Sequence, residues 1–368
     1  MYVVNVDWFF ISHRLVLAEE AKNNGYEVIV AGEDTGRSHE IISKGIRFIN
    51  FSFSRSGTNP ILEFITLVSF YNLYSSLKPD IVHHITLKPV IYGSLIAKIL
   101  KVNSVVNAVS GLGYNFTHGR MDFISKFMIS LMKFGFNNSL TFIFQNNDDF
   151  QDLSKLKVFS PKNIFFFIKG SGVNLNDFYP TNFPSFEKIK IVLPSRMLYD
   201  KGVIEFYEAA KLLRPVYLNR IQFILVGLAD EDNKAGIPVS LLKLWDDGDY
   251  FKWVDYQKNI FKVYENSHIV VLPSYREGIP KTLIEACAMG RAIVTTDAIG
   301  CRECVDEGIN GIKVPIKDSI SLAKAIEFLV INPDKIILMG IASRLKAEKE
   351  FDIDSVIKIH LEIYNSLI

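Results

Sequence analysis

The feature that most constrains this 368-residue chain is a pattern that runs twice. Short apolar runs rich in β-branched residues alternate with longer segments of helical period, which is how parallel βαβ units read. In the first half Tyr2–Val6, Glu27–Ala31, Arg47–Phe51, Ile81–His84, Ser104–Ala108, Thr141–Phe144 and Ile164–Lys169 read as strands. Ser12–Asn23, Ile61–Leu77 and Val90–Leu100 read as helices between them. After Gly170 the pattern restarts at Ile189–Pro194, with Val203–Leu213 as its first helix. Ile221–Gly227, Tyr250–Val254, Ile269–Pro273, Ala292–Thr296 and Gly311–Val314 follow as strands. The length suits two cores better than one. The expected class is therefore α/β, with two doubly wound parallel-sheet domains. Residues 1–170 and 171–350 form the domains, Gly170–Phe186 the hinge, and 351–368 a terminal helix able to pack back on the first domain.

Such sheets bind ligands at the carboxyl ends of their strands, so the site is expected in the cleft where the two domains face each other. No GxGxxG opens either half: Gly111-Leu112-Gly113 is followed by Phe116 where a third glycine would stand. A dinucleotide site is disfavoured on that count. The net charge of +1 argues against nucleic acid as a partner. Residues 1–170 are mildly basic, with 17 Lys/Arg against 13 Asp/Glu, and the remainder is mildly acidic. Cys301 and Cys304 form a CxxC, but Cys287 is the only other cysteine, so no second pair completes a zinc site. A reducing, cytoplasmic setting is expected, with no signal peptide before the opening strand and no run long enough to span a membrane.

The stretch Pro273-Ser274-Tyr275-Arg276-Glu277-Gly278-Ile279-Pro280-Lys281-Thr282-Leu283-Ile284-Glu285-Ala286 carries the most chemistry. A buried strand ends, a glycine-containing loop follows, and a helix begins near Lys281. A helix starting there aims N–H groups and a positive dipole end at the ligand edge, which suits a diphosphate. Glu277 and Glu285 lie about two turns apart, placing two carboxylates at different depths to accept hydrogen bonds from sugar hydroxyls.

These residues resemble the retaining glycosyltransferases of family four, which have the two-Rossmann GT-B fold. Arg196-Met197-Leu198-Tyr199-Asp200-Lys201-Gly202 is similar to that family's Arg, four residues, Lys-Gly element. Gly170–Asn174 with Phe178-Tyr179-Pro180 resembles its interdomain segment, and Asp297–Glu303 its turn after a late strand. Trp8–Leu15 and Pro79–His84 look like the subgroup that builds capsule, O-antigen and other lipid-linked glycans.

The resemblance implies a catalytic set of Glu277, Arg196 and Lys201. The two cations hold the donor diphosphate as its charge grows, which replaces a metal, so no metal or cofactor is expected. Glu285 binds the ribose, Glu277 the transferred sugar, and Gly278, Lys281, Thr282 and Leu283 line the donor, with backbone N–H groups of Lys281–Leu283 on phosphate. Trp253 and Val254 stand by the nucleobase, where Asp255 replaces the usual glycine. Asp7-Trp8-Phe9-Phe10 replaces the Gly-Gly that many members carry. For the acceptor the expected contacts are His13, Arg14, His84, Lys88, Gly111 and Gly113, with His83 structural. Arg120–Leu140, apolar at helical spacing with interleaved Arg120, Lys126 and Lys133, reads either as a helix on an anionic membrane surface or as a helix packed on its own sheet with its basic positions facing solvent.

The implied reaction moves a hexose or N-acetylhexosamine from a UDP-sugar to a polyprenyl-diphosphate-linked saccharide, peripherally at the inner face of a bacterial membrane. A UDP-sugar epimerase on the same fold and a noncatalytic sugar-nucleotide-binding scaffold remain as alternatives.

Overall fold

The computed structural model describes residues 1–53, 60–112, 123–231 and 233–368. The chain divides into two compact units, Met1–Ser171 with Asp354–Ile368, and Gly172–Ile353.

The first unit holds seven parallel strands: β1 (Tyr2–Val6), β2 (Ile29–Glu33), β3 (Arg47–Asn50), β4 (Ile81–Ile85), β5 (Ser104–Val109), β6 (Thr141–Phe144) and β7 (Ile164–Phe167). Their order is β3-β2-β1-β4-β5-β6-β7. The second holds six: β8 (Ile189–Pro194), β9 (Ile221–Val226), β10 (Phe251–Val254), β11 (Ile269–Leu272), β12 (Ala292–Thr296) and β13 (Gly311–Val314), in the order β10-β9-β8-β11-β12-β13. Every pairing within these sheets is parallel. In each sheet the order reverses beside the first strand, which opens a crevice at the carboxyl edge. Val3, Val82, Val105 and Phe142 are buried at the heart of one core, and Ile191, Phe223, Val271 and Val294 at the heart of the other.

Three local expectations are corrected. The second strand runs Ile29–Glu33 rather than Glu27–Ala31, because Gly32 belongs to it. A Cβ there would lie 2.9 Å from Val4 Cγ1, so the glycine permits close strand approach rather than ending the strand. The helix expected from Ser12 is two helices, Asp7–His13 and Leu15–Asn23, broken at Arg14. The first begins directly at the end of β1 because Asp7 is buried there and accepts the backbone N–H groups of Thr35 (2.8 Å) and Arg37 (2.9 Å). Finally, the helix after β8 runs to Tyr217, through Pro215 in its last turn.

Candidate active site

In the second unit the loops that leave β8, β11 and β12 are packed on one another through glycine. Gly202 has φ +74, and a Cβ there would sit 2.1 Å from the Pro273 carbonyl oxygen. Gly300 has φ +85, and its Cβ would sit 2.3 Å from the Gly278 oxygen. Hydrogen bonds complete the joint. The Tyr275 N–H and the Ser274 hydroxyl both donate to the Asp200 carbonyl at 2.9 Å, and the Glu277 N–H donates to Ile299 at 2.9 Å.

This joint holds the Lys201 ammonium on the Glu277 carboxylate, whose same oxygen lies 2.7 Å from the Ser274 hydroxyl, so that hydroxyl shares its one proton between Glu277 and the Asp200 carbonyl. The side chains are 18% and 13% exposed, too little for water to screen the pair as it does at a surface. An ammonium has three donors, so Lys201 can keep Glu277 and still meet an anion. Arg196 is half exposed and bonded through Nη1 to Asp230 at 3.3 Å, on the loop after β9. We expect Gly202→Ala to push Pro273 out of place and disturb both residues of the pair. Thermal melting should fall by about 4–8 °C with turnover reduced in parallel; unchanged values for both would contradict the packing argument.

Beyond the loop, the helix Lys281–Ala288 starts after Pro280. Glu285 is buried on it, accepting from the Tyr264 hydroxyl at 2.9 Å with the Lys281 ammonium 3.5 Å away. Burial pushes the Glu285 carboxyl up from its ordinary value, and Lys281 and Tyr264 oppose that rise. Thr282 ties the helix to the end of β8, its hydroxyl donating to the Pro194 oxygen at 2.9 Å. Trp253 and Val254 lie half-buried at the end of β10, with the indole N–H on the Gly227 carbonyl at 3.0 Å. The Leu283 N–H donates to the Pro280 carbonyl at 3.0 Å within the first turn, and its side chain is fully buried.

Lys201, Glu277, Gly278, Lys281, Thr282 and Glu285 thus share the carboxyl edge of one sheet, with Arg196 and Trp253 on neighbouring loops and strands. Two partners escaped sequence reasoning. Ser274 was visible three residues before Glu277, at a spacing that lets a hydroxyl reach a carboxylate across a turn. Tyr264 carries no local signal, since it reaches Glu285 from another helix, Ile260–Glu265.

In the first unit several acceptor assignments change. His84 is fully buried. Its Nδ1 faces Asn107 Oδ1 at 2.7 Å and its Nε2 faces the Tyr74 hydroxyl at 2.7 Å, so the ring serves the core rather than a ligand. Gly93 makes room for it, since a Cβ there would meet His84 Nε2 at 2.2 Å. Arg14 is buried at the break between two helices, near Tyr2, Tyr364, His83 and His360, with its Nε unbonded. His13 ends its helix, half-buried and stacked on Phe9 at 4.1 Å. Lys88 pairs with Glu63 at 2.8 Å, each side chain 13% exposed. Gly111 is half-buried with φ +109, and Gly113 lies outside the described residues. The expected Arg120–Leu140 helix is seen as Phe123–Gly135, and Arg120 lies outside the described residues.

All three cysteines are buried and unpaired, and burial pushes the Cys301 thiol up to about 12, so neither CxxC sulfur is poised for redox work.

Comparison with known proteins covers both units. The family model "Glycosyl transferases group 1" matches residues 188–332, and "Glycosyl transferase 4-like" matches residues 1–146. A relative from Campylobacter jejuni subsp. jejuni serotype O:2 is 28% identical, over 98% of each chain. It is N,N'-diacetylbacillosaminyl-diphospho-undecaprenol alpha-1,3-N-acetylgalactosaminyltransferase. An Escherichia coli relative, UDP-Gal:alpha-D-GlcNAc-diphosphoundecaprenol alpha-1,3-galactosyltransferase, is 22% identical over 90% of this chain and 87% of its own. Among solved structures, Anabaena HepE in complex with UDP superposes with a TM-score of 0.76 at 16% identity, over 99% of each chain, which is a likeness of fold.

Proposed function

This chain belongs to the group 1 glycosyltransferases, of the capsule and O-antigen type, and we propose that it moves a hexose or N-acetylhexosamine from a UDP-sugar to a saccharide carried on a polyprenyl diphosphate. The observation that carries this reading is the Lys201–Glu277 pair, fixed by Ser274 beside the start of the helix Lys281–Ala288.

Transfer forms a bond between an acceptor hydroxyl oxygen and the anomeric carbon and breaks the bond from that carbon to the diphosphate. Negative charge grows on the leaving oxygen. Lys201, Arg196 and the helix tip meet that charge, and a preorganised clamp of this kind contributes about 3–4 kcal/mol per well-placed donor. Glu277 accepts hydrogen bonds from the transferred sugar and Glu285 from the ribose. The proton leaving the acceptor hydroxyl ends on the departing diphosphate, and the anomeric configuration is retained. Cationic side chains do the work a divalent ion does elsewhere, so turnover needs no metal.

The lipid-linked acceptor is supported by the two full-length relatives, whose names specify undecaprenyl-diphosphate-linked substrates. The uridine donor is supported by the Escherichia coli relative's name and by the UDP held in the Anabaena structure. We place the enzyme peripherally on the inner face of a bacterial membrane; among the described residues no helix is long and apolar enough to cross one.

Purified protein given a panel of UDP-sugars, a polyprenyl-diphosphate-linked saccharide and EDTA should release UDP and extend the acceptor with an α-linked sugar, read by mass spectrometry and the anomeric proton coupling. Abolition by EDTA, an inverted linkage, or sugar epimerisation without acceptor would each overturn the corresponding part of the reading.

A further inference from the structure

The helix Pro60–Leu77 carries one residue charged at neutral pH, Glu63, and that side chain is turned to Lys88. Its inner side is the expected core face, with Phe70 and Tyr74 buried. Its outer side is also apolar. Ile61, Phe64, Ile65 and Val68 are 70%, 66%, 53% and 42% exposed. They stand at i, i+3, i+4 and i+7, one stripe along the first turns of the helix. The stripe gives way to Asn72, Ser76 and Lys78, all exposed, toward the other end. Single exposed apolar residues are ordinary, but a contiguous stripe marks an interaction surface.

The neighbouring surface says what kind. The helices Pro60–Leu77 and Phe123–Gly135 both pack against Leu87–Ile99. A chain of contacts joins them: Glu63 to Lys88, Lys88 over the Tyr92 ring at 5.8 Å, and the Tyr92 hydroxyl to Met128 Sδ at 3.6 Å. The outer face of Phe123–Gly135 reads Lys126, Phe127, Ser130, Lys133, Phe134, all exposed, and the helix holds no acidic residue. Lys98 adds a third cation, 4.0 Å over the Phe134 ring. The layer therefore offers an apolar stripe beside a basic, aromatic strip with no exposed carboxylate on either helix. Acyl chains fit the first and anionic headgroups the second. The beginnings of these helices lie at the carboxyl edge of the sheet, the edge where an α/β sheet takes its ligand.

We propose that this layer is the membrane-docking face of the first unit, with Ile61, Phe64, Ile65 and Val68 entering the acyl boundary and Lys98, Lys126 and Lys133 on anionic headgroups. The inference rests on the reading of a lipid-linked acceptor. It differs from the sequence expectation by giving the penetrating role to Pro60–Leu77 and an electrostatic one to Phe123–Gly135.

Co-sedimentation of the full-length protein with vesicles tests it. Binding to phosphatidylcholine vesicles with phosphatidylglycerol added should exceed binding to phosphatidylcholine alone. Phe64→Asp with Val68→Asp should weaken it by about ten-fold or more, while Leu244→Asp, at a still more exposed apolar position in the second unit, should not. The double variant should melt like wild type and turn over a water-soluble, short-prenyl acceptor normally, but lose turnover of acceptor embedded in vesicles. Equal vesicle binding by wild type and double variant overturns the proposal, as does a wild-type dimer that the double variant dissolves. Vesicle binding without transfer to either acceptor would instead sink the function while leaving the surface standing.

Discussion

Lys201→Ala should lower kcat by about 10²–10³-fold, the loss expected when a preorganised donor to developing charge is removed. Two features make Lys201 the sharpest test. It is mostly shielded from water, and the backbone of its own turn is locked by Gly202 against Pro273. Its Nζ also holds Glu277, so removing it frees a carboxylate that must stay aimed at the transferred sugar. Glu277→Ala should therefore cost a similar factor, and the double variant little more than either single one, because the pair acts as a unit. Arg196→Ala should cost less, about ten-fold and mostly in KM, since a half-exposed guanidinium tied to Asp230 is more easily replaced by water. Steady-state kinetics with thermal melts of each variant check this. Additive losses from Lys201 and Glu277, or near-normal turnover of Lys201→Ala in a folded protein, would break the argument.

The second large effect is acid instability of the first unit. His83, His84 and His360 are fully buried there, and burial holds all three imidazoles below their ordinary value, His84 at about 4 and His360 at about 3. The nearby Arg14 guanidinium lowers His83 and His360 further. The unfolded chain takes up these protons near pH 6.5, while the folded chain refuses them. Stability is thus complete above about pH 6.5 and is lost as pH falls toward 4, by about 2 kcal/mol each for His84 and His360 at pH 5, with His83 acting in the same direction. The second unit has one comparable residue, His268, also held at about 4. Between pH 7.5 and 5 the first unit should lose the larger share of its stability. Trp8 reports on it, and Trp245 and Trp253 report on the other. Single-tryptophan variants followed by fluorescence during melting would separate them; equal shifts in both units, or none, would contradict the account.

What was legible in the sequence divides along physical lines. The strands of the second unit could be read almost to the residue because both faces of a parallel sheet are covered. Ile269–Leu272 and Ala292–Thr296 are apolar or nearly so without interruption, and the turns between carry glycine or proline. Glu277 could be singled out because it lies in the loop between a buried strand and a helix, whereas Lys201 is named only through the resemblance of Arg196–Gly202 to a known family's element. His83 and His84 show the limit. Their alternation puts them on opposite faces, but only the assembled fold reveals that both faces are interior, one closed by Tyr364 and His360 from the far end of the chain and the other by Tyr74 and Asn107. Arg14 is the same lesson with a charge attached. A cation at the head of a helix after the first strand reads as facing a ligand, and nothing nearby in sequence announces that it is buried. Gly32 fails differently, since local propensity penalises a glycine that strand packing requires.

The central claim concerns where a pyrophosphate rests, and a crystal structure of the protein with UDP decides it. The account predicts density for the β-phosphate within hydrogen-bond reach of the Lys201 ammonium and the amide of Thr282, with the ribose hydroxyls on Glu285. Phosphate density bound away from Lys201 and from the start of the helix Lys281–Ala288 would contradict it.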